Sequence, residues 1–255
     1  MSADRPVLFV VLAGPHPGRW ALVDHLLRAE RLPEEDVCLW AADDEAPAPA
    51  GHPPVSPSAW RVEGAEAMPA DALQVLVYGG RAFPAPLLEQ LADRTARGTL
   101  EVGRVTTLVH GPACRDSREA DRWYEAAIHF SDLVLIDPRG TAVSEKWIRD
   151  YEERFRKQRF PCLFDRLKKG RPRHPSWMLD EQARRLSQAL EPPEEPDTAV
   201  EVVIEEGLPP GEEEEGGDEG PATDPYLRRN AAGEFERYVP DLPTFALDVE
   251  SGAGE

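Results

Sequence analysis

The stretch VLFVVLAGPHPGRWALVDHLL, residues 7–27, decides how this chain folds. Its first six residues form an unbroken apolar run, the pattern of a strand buried on both faces rather than on one. Gly14 then opens a turn that also holds Pro15, Pro17 and Gly18. From Trp20 onward the period changes, and Leu22, Val23, Leu26 and Leu27 fall on one helical face. A strand, a glycine turn and a helix in that order form the arrangement with which nucleotide-binding proteins aim backbone N–H groups at phosphate. Whether this turn keeps those donors is the functional question the sequence raises.

The same alternation continues outward. Strands are predicted at residues 7–12, 37–40, 73–78, 102–109 and 133–136, with a weaker one at 160–164. Helices are predicted at 20–31, 84–97, 118–130, 144–157 and 176–190. Continuous apolar strands separated by amphipathic helices predict an α/β fold with a mostly parallel, doubly wound sheet. Residues 43–58, DDEAPAPAGHPPVSPS, carry too many prolines for a regular element and read as a loop. In such a sheet ligands bind outside the carboxyl ends of the strands. That places any site in the loops at 14–19, 42–44, 79–81, 110–114 and 137–140.

Charge divides the chain unevenly. Of 29 Lys+Arg and 48 Asp+Glu, residues 191–255 hold 3 and 20, so the first 190 residues are nearly neutral and nearly all of the net charge of −19 belongs to the last quarter. The run EPPEEPDTAVEVVIEEGLPPGEEEEGGDEGPATDP, residues 191–225, reads as a disordered acidic linker, because it buries too little apolar surface to offset its ordering entropy. Residues 226–255 follow, and within them 226–247 recover Tyr226, Leu227, Phe235, Tyr238, Leu242 and Phe245. This reads as a docking motif, for a protein partner or for the domain of residues 1–190. The apolar runs are too short to span a membrane and no cleavage pattern follows the first, so a cytoplasmic protein is expected. Cys38, Cys114 and Cys162, odd in number and without a C-x-x-C spacing, read as reduced core thiols, and no metal-ligand set stands out.

The order VVLAGPHPGRWALVDHLL, VLVYGGRAFPAPLLEQLADR, RVTTLVHG, AAIHFSDLVLIDPRG resembles the CobW-type GTPases, P-loop proteins related to the HypB and UreG metallochaperones. The likeness covers about the first two-thirds of the chain and lies in element order and apolar framework. It implies a P-loop NTPase-like domain with guanine nucleotide and Mg²⁺ at its crevice. Each motif of that family departs from its pattern here. Gly18 matches the glycine before the P-loop lysine, which leaves Arg19 in the lysine position and Trp20 in that of the Mg²⁺-binding hydroxyl. Pro15 and Pro17 lack an N–H. The family's Gly-Cys-x-Cys-Cys segment stands as Gly79-Gly80-Arg81-Ala82-Phe83. The guanine-specifying Asn, Lys and Asp fall on Asp137, Pro138 and Gly140.

Two function classes follow. The first is a degenerate P-loop domain, a pseudo-GTPase without efficient hydrolysis, in which Gly14, Gly18 and Arg19 form a residual phosphate site for a nucleotide held without Mg²⁺. The second is a non-enzymatic interaction protein whose acidic tail recruits a partner or masks a basic surface. Weaker candidates are a nucleophile or metal pair of His110 and Cys114, a cation site at Asp43 and Asp44, and the basic run of residues 149–173. That run has ten basic and four acidic groups. It reads as the solvated face of an amphipathic helix in preference to a nucleic-acid surface.

Overall fold

The opening apolar run forms β1 (Val7–Leu12) in the middle of a seven-stranded sheet. The structure is a computed structural model describing residues 5–29, 37–41, 58–59, 72–138, 143–192 and 224–243. The other strands are β2 (Val37–Ala41), β3 (Ser58–Ala59), β4 (Leu73–Tyr78), β5 (Glu101–His110), β6 (Leu133–Asp137) and β7 (Leu163–Arg166). Their order across the sheet is β3-β2-β4-β1-β5-β6-β7, and every pairing is parallel. The helices are α1 (Arg19–Ala29), α2 (Ala85–Ala96), α3 (Gly111–Asp116), α4 (Arg118–His129) and α5 (Glu145–Lys157). The Ser117 and Ser144 hydroxyls cap α4 and α5, each accepting a 3.1 Å bond from the amide three residues on.

Alternate residues of β1 serve two cores. Leu8, Val10 and Leu12 join a core with Leu88 and Leu91 of α2, Trp123 and Ile128 of α4, and Ile148 and Phe155 of α5. Phe9 and Val11 join a second with Trp20, Leu22, Val23 and Leu26 of α1 and with Met178. This two-sided burial is why the strand has no polar face. The chain leaves β1 over one face through α1, and it leaves β4 and β5 over the other through α2 and α4. The winding therefore reverses around β1, which is where an open α/β sheet forms its crevice.

The expected doubly wound parallel sheet is present. Differences lie at its margins and after β5, where the stretch expected as a loop at 110–114 enters the short helix α3, started by the His110 cap and Pro112 in its first turn. The expected strand at 160–164 shifts to β7, since Pro161 has no N–H and pairing starts where the Leu163 amide reaches the Asp132 carbonyl, 2.8 Å away. Ser58 and Ala59 add a two-residue edge strand at the end of the predicted loop, and the rest of that loop, with Asp43 and Asp44, lies outside the described residues. The helix expected at 176–190 is a 3₁₀ turn over Pro175–Leu179 followed by irregular chain. Its backbone is engaged by the lower edge of the sheet. Asp132 accepts from the Arg184 amide (2.6 Å), Arg104 donates to the Gln182 carbonyl (3.0 Å), and the Ser187 amide donates to the His129 carbonyl (3.0 Å). These bonds replace the i→i−4 ladder.

Residues 224–243 pack onto this body, and Tyr226, Leu227 and Leu242 are buried in the first core beside Leu190. The Asp224 carboxylate lies 2.7 Å from His129 Nε2 and also pairs with the Ser187 side chain. Residues 187 and 224 thus meet at one histidine. Residues 193–223 and 244–255 lie outside the described residues, and with them most of the expected linker. Among the described residues no helix is long and apolar enough to cross a membrane.

Candidate functional site

Gly14, Gly18 and Arg19 stand together at the carboxyl end of β1, where the turn bends into α1. Gly14 has φ +56°, a left-handed conformation that a side chain would strain. Its turn is closed from inside by His16, which is fully buried. The Gly18 amide donates to His16 Nδ1 (3.0 Å). The Arg19 amide donates to the His16 carbonyl (3.2 Å), and the Arg19 guanidinium donates to the same oxygen (2.9 Å). With Pro15 and Pro17 already lacking an N–H, the donors of Gly18 and Arg19 bond to the turn's own atoms.

His16 also ties the turn to the rest of the crevice. Since Nδ1 accepts a hydrogen bond, the neutral ring carries its proton on Nε2, which lies 3.2 Å from Asp137 Oδ2 at the end of β6. The His110 ring meets it edge-on with centroids 5.4 Å apart. His110 in turn caps α3 by accepting from the Ala113 amide (3.2 Å). Gly111 keeps this junction tight, because a Cβ there would stand 2.9 Å from the Asp137 carbonyl oxygen. A general base needs a nitrogen open to substrate with the other held by an orienting group. In His16 one nitrogen accepts from the turn and the other faces Asp137, so the ring links the turn to the end of β6.

The remaining predicted residues separate. Trp20 is buried in the second core. Cys114 turns inward, its Sγ 3.8 Å from the Tyr151 hydroxyl, and burial pushes its thiol far above the ordinary range. A buried thiol held in its neutral form lacks the exposed, electropositive setting of a reactive cysteine. All three cysteines are unpaired, with Cys114 and Cys162 buried as core filler. Among the described residues no cluster of three His, Cys, Asp or Glu could hold a metal. In the basic run, Arg154 pairs with Asp121, Arg156 with Glu153, and Arg166 with Glu145 and Glu152. Asp137 and Pro138 are described, whereas Gly140 lies outside the described residues.

The crevice beside β1 has an occupant. A Cβ on Gly14 would overlap Cδ1 of Leu242, and the Gly80 carbonyl and the Trp123 ring line the same space. The Leu242 amide donates to the Arg81 carbonyl (2.9 Å), and Arg81 Nε donates back to the Leu242 carbonyl (2.8 Å). Sequence reading had no signal for this meeting, nor for the burial of His16 between two prolines. Both depend on contacts between distant parts of the chain.

No family model matches the chain, and no curated protein matches it. Among solved structures, the Zn(II)-bound YjiA GTPase from E. coli aligns at a TM-score of 0.38 with 11% identity, over 59% of this chain and 54% of that one. The chain spans about half the length of that protein, and a superposition this loose carries no argument about the site.

Proposed function

We propose that this chain is a P-loop-like α/β domain that does not hydrolyse nucleotide and works as a binding module. The single observation that supports this reading is the turn after β1. The N–H groups of Gly18 and Arg19, which a phosphate would need, bond to His16 at 3.0 and 3.2 Å. Two neighbouring positions are proline, and the position of a Mg²⁺-binding hydroxyl is a buried Trp20. Phosphoryl transfer depends on oriented donors and a bridging metal, and this turn offers little of either. Purified protein should therefore show no Mg²⁺-dependent GTP or ATP turnover above background. Turnover at the ~1 s⁻¹ order of ordinary enzymes, abolished by Arg19→Ala, would overturn the reading.

Gly14, Gly18 and Arg19 remain the proposed place for a weakly held phosphate or a nucleotide without Mg²⁺, since they sit at a helix N-terminus facing the crevice. Inorganic phosphate should then shift amide resonances of residues 14–21 before any others. Shifts confined to residues 149–173 would assign anion binding to the basic run instead.

A second reading, an interaction protein working through residues 226–247 on a protein partner, is favoured by the segment itself. Tyr226 and Leu227 are buried, but Tyr238 is 83% exposed on the same stretch, a surface aromatic with no role in the core.

A further inference from the structure

Residues 224–243 carry little regular structure of their own, a few turns and one bridge between Arg229 and Phe235. The segment folds on itself in a tight turn, where the Asn230 amide donates to the Glu234 carbonyl (2.8 Å) and the Glu236 amide to the Arg228 carbonyl (2.9 Å), and it is held to the body through side chains spaced along it. At one end Asp224 pairs with His129 at 2.7 Å. Next, the Tyr226 ring enters a cage of His129, Phe83 and Phe130, with centroids 4.9, 5.9 and 6.0 Å away. Arg229 then forms a two-point pair with Glu89 of α2, at 2.7 and 2.6 Å. At the far end the backbone of Leu242 pairs twice with Arg81, and its side chain fills the space left by Gly14. An acid, a caged aromatic, an arginine fork and a terminal aliphatic anchor with main-chain pairing make up the way a groove reads a short peptide segment through a few anchors.

The connection to the body fits the same picture. Residues 193–223 hold twelve acidic residues and no Lys or Arg, yet the chain on either side of them meets at His129, through the Ser187 amide and the Asp224 carboxylate. Residues 224–243 are thus attached to the body by their own contacts, from Asp224 at His129 to Leu242 at Arg81.

We propose that the face of α2 and α4, with the mouth of the crevice beside β1, is a peptide-binding groove, and that residues 224–243 are its resident ligand held in cis. A partner for this groove is a protein segment of the same chemistry: an acidic residue, Tyr-Leu two and three positions later, an arginine beyond, and an aliphatic residue about sixteen positions after the tyrosine. While the resident segment is docked, Leu242 keeps the crevice closed. The inference is independent of whether the turn after β1 retains any affinity for phosphate.

The test uses the full chain with a protease site inserted between Gly216 and Gly217, which leaves both parts in solution after cutting. A labelled synthetic peptide of residues 222–244 should exchange into the cut protein with a Kd of about 1–10 μM. In the uncut chain it should bind at least about 100-fold more weakly, because a tethered segment competes at an effective concentration on the order of 1 mM. Peptides carrying Tyr226→Ala or Leu242→Ala should bind at least about tenfold more weakly than the parent peptide. As a second route that needs no cutting, the uncut chain with Tyr226→Ala and Leu242→Ala should accept the parent peptide. Two outcomes would overturn the proposal: the fragment stays bound without exchange while the sheet remains folded, or the amide dispersion of β1 and β5 collapses as the fragment leaves. Either result would make residues 224–243 a fixed part of the core.

Discussion

Gly14 shows how much one position can decide. Its φ of +56° costs an ordinary residue about 1–2 kcal/mol, and its missing side chain is the space that Leu242 occupies. Gly14→Ala should thus destabilise by more than the backbone term alone, because the new methyl meets Leu242. In a double-mutant cycle with Leu242→Ala, measured by denaturant unfolding, the two losses should fall short of additivity by about 0.5–3 kcal/mol. Strict additivity would mean the two residues do not share that space. At this scale the sequence speaks through residue chemistry: proline has no N–H to give, and tryptophan offers no oxygen to a metal. It was silent where identity leaves the environment open. Nothing in a proline-flanked loop indicates that His16 is buried, facing Asp137 of another strand.

At the scale of elements, strands and helices of the central sheet were legible because two-sided burial leaves a continuous apolar run and helix faces repeat at 3.6 residues. The segment at 176–190 misleads for the opposite reason. Its apolar positions suit a helix, but Asp132, Arg104 and His129 bind its backbone in an irregular path. The strap of residues 224–243 is a further case, since its aromatics announced docking without naming the surface. Its attachment should respond to acid. Burial raises the Asp224 carboxyl, but hydrogen bonds from His129, Ser187 and the Tyr226 amide outweigh it and hold the group below its ordinary value. A carboxyl depressed on docking contributes stability that is complete above its free value, about 3.9, and is lost as pH falls through the docked one. Docking followed by the Tyr226 ring resonances should hold down to about pH 4 and weaken below it. Asp224→Asn should loosen the strap at neutral pH and flatten that acid limb; an unchanged acid limb in the variant would assign it to another group.

At the scale of the whole molecule, residues 224–243 share the first core with α2, α4 and α5, and a glutamate-rich stretch of sequence separates them from the chain that ends at Pro192. Composition marked where charge collects, but not that the chain returns to its point of departure. Because Ser187 and Asp224 both bond to His129, the sequence between them connects two points held at one residue. Closing a long loop costs more entropy than closing a short one, by about (3/2)RT times the logarithm of the length ratio. Replacing residues 194–222 with about eight Gly and Ser residues should therefore leave the fold intact and stabilise it by about 1 kcal/mol, or about 2–4 °C in Tm. Ending the chain after Pro192 removes the strap instead of shortening its tether. With a segment docked at about 1,000 times its dissociation constant, that loss amounts to about 4 kcal/mol, and Tm should drop while the sheet remains folded. Thermal melts of the two variants beside the full chain check both signs together. If shortening lowers Tm as much as truncation does, the glutamate-rich stretch itself contributes contacts to the body, and the tethered strap is the wrong description of how residues 224–243 are held.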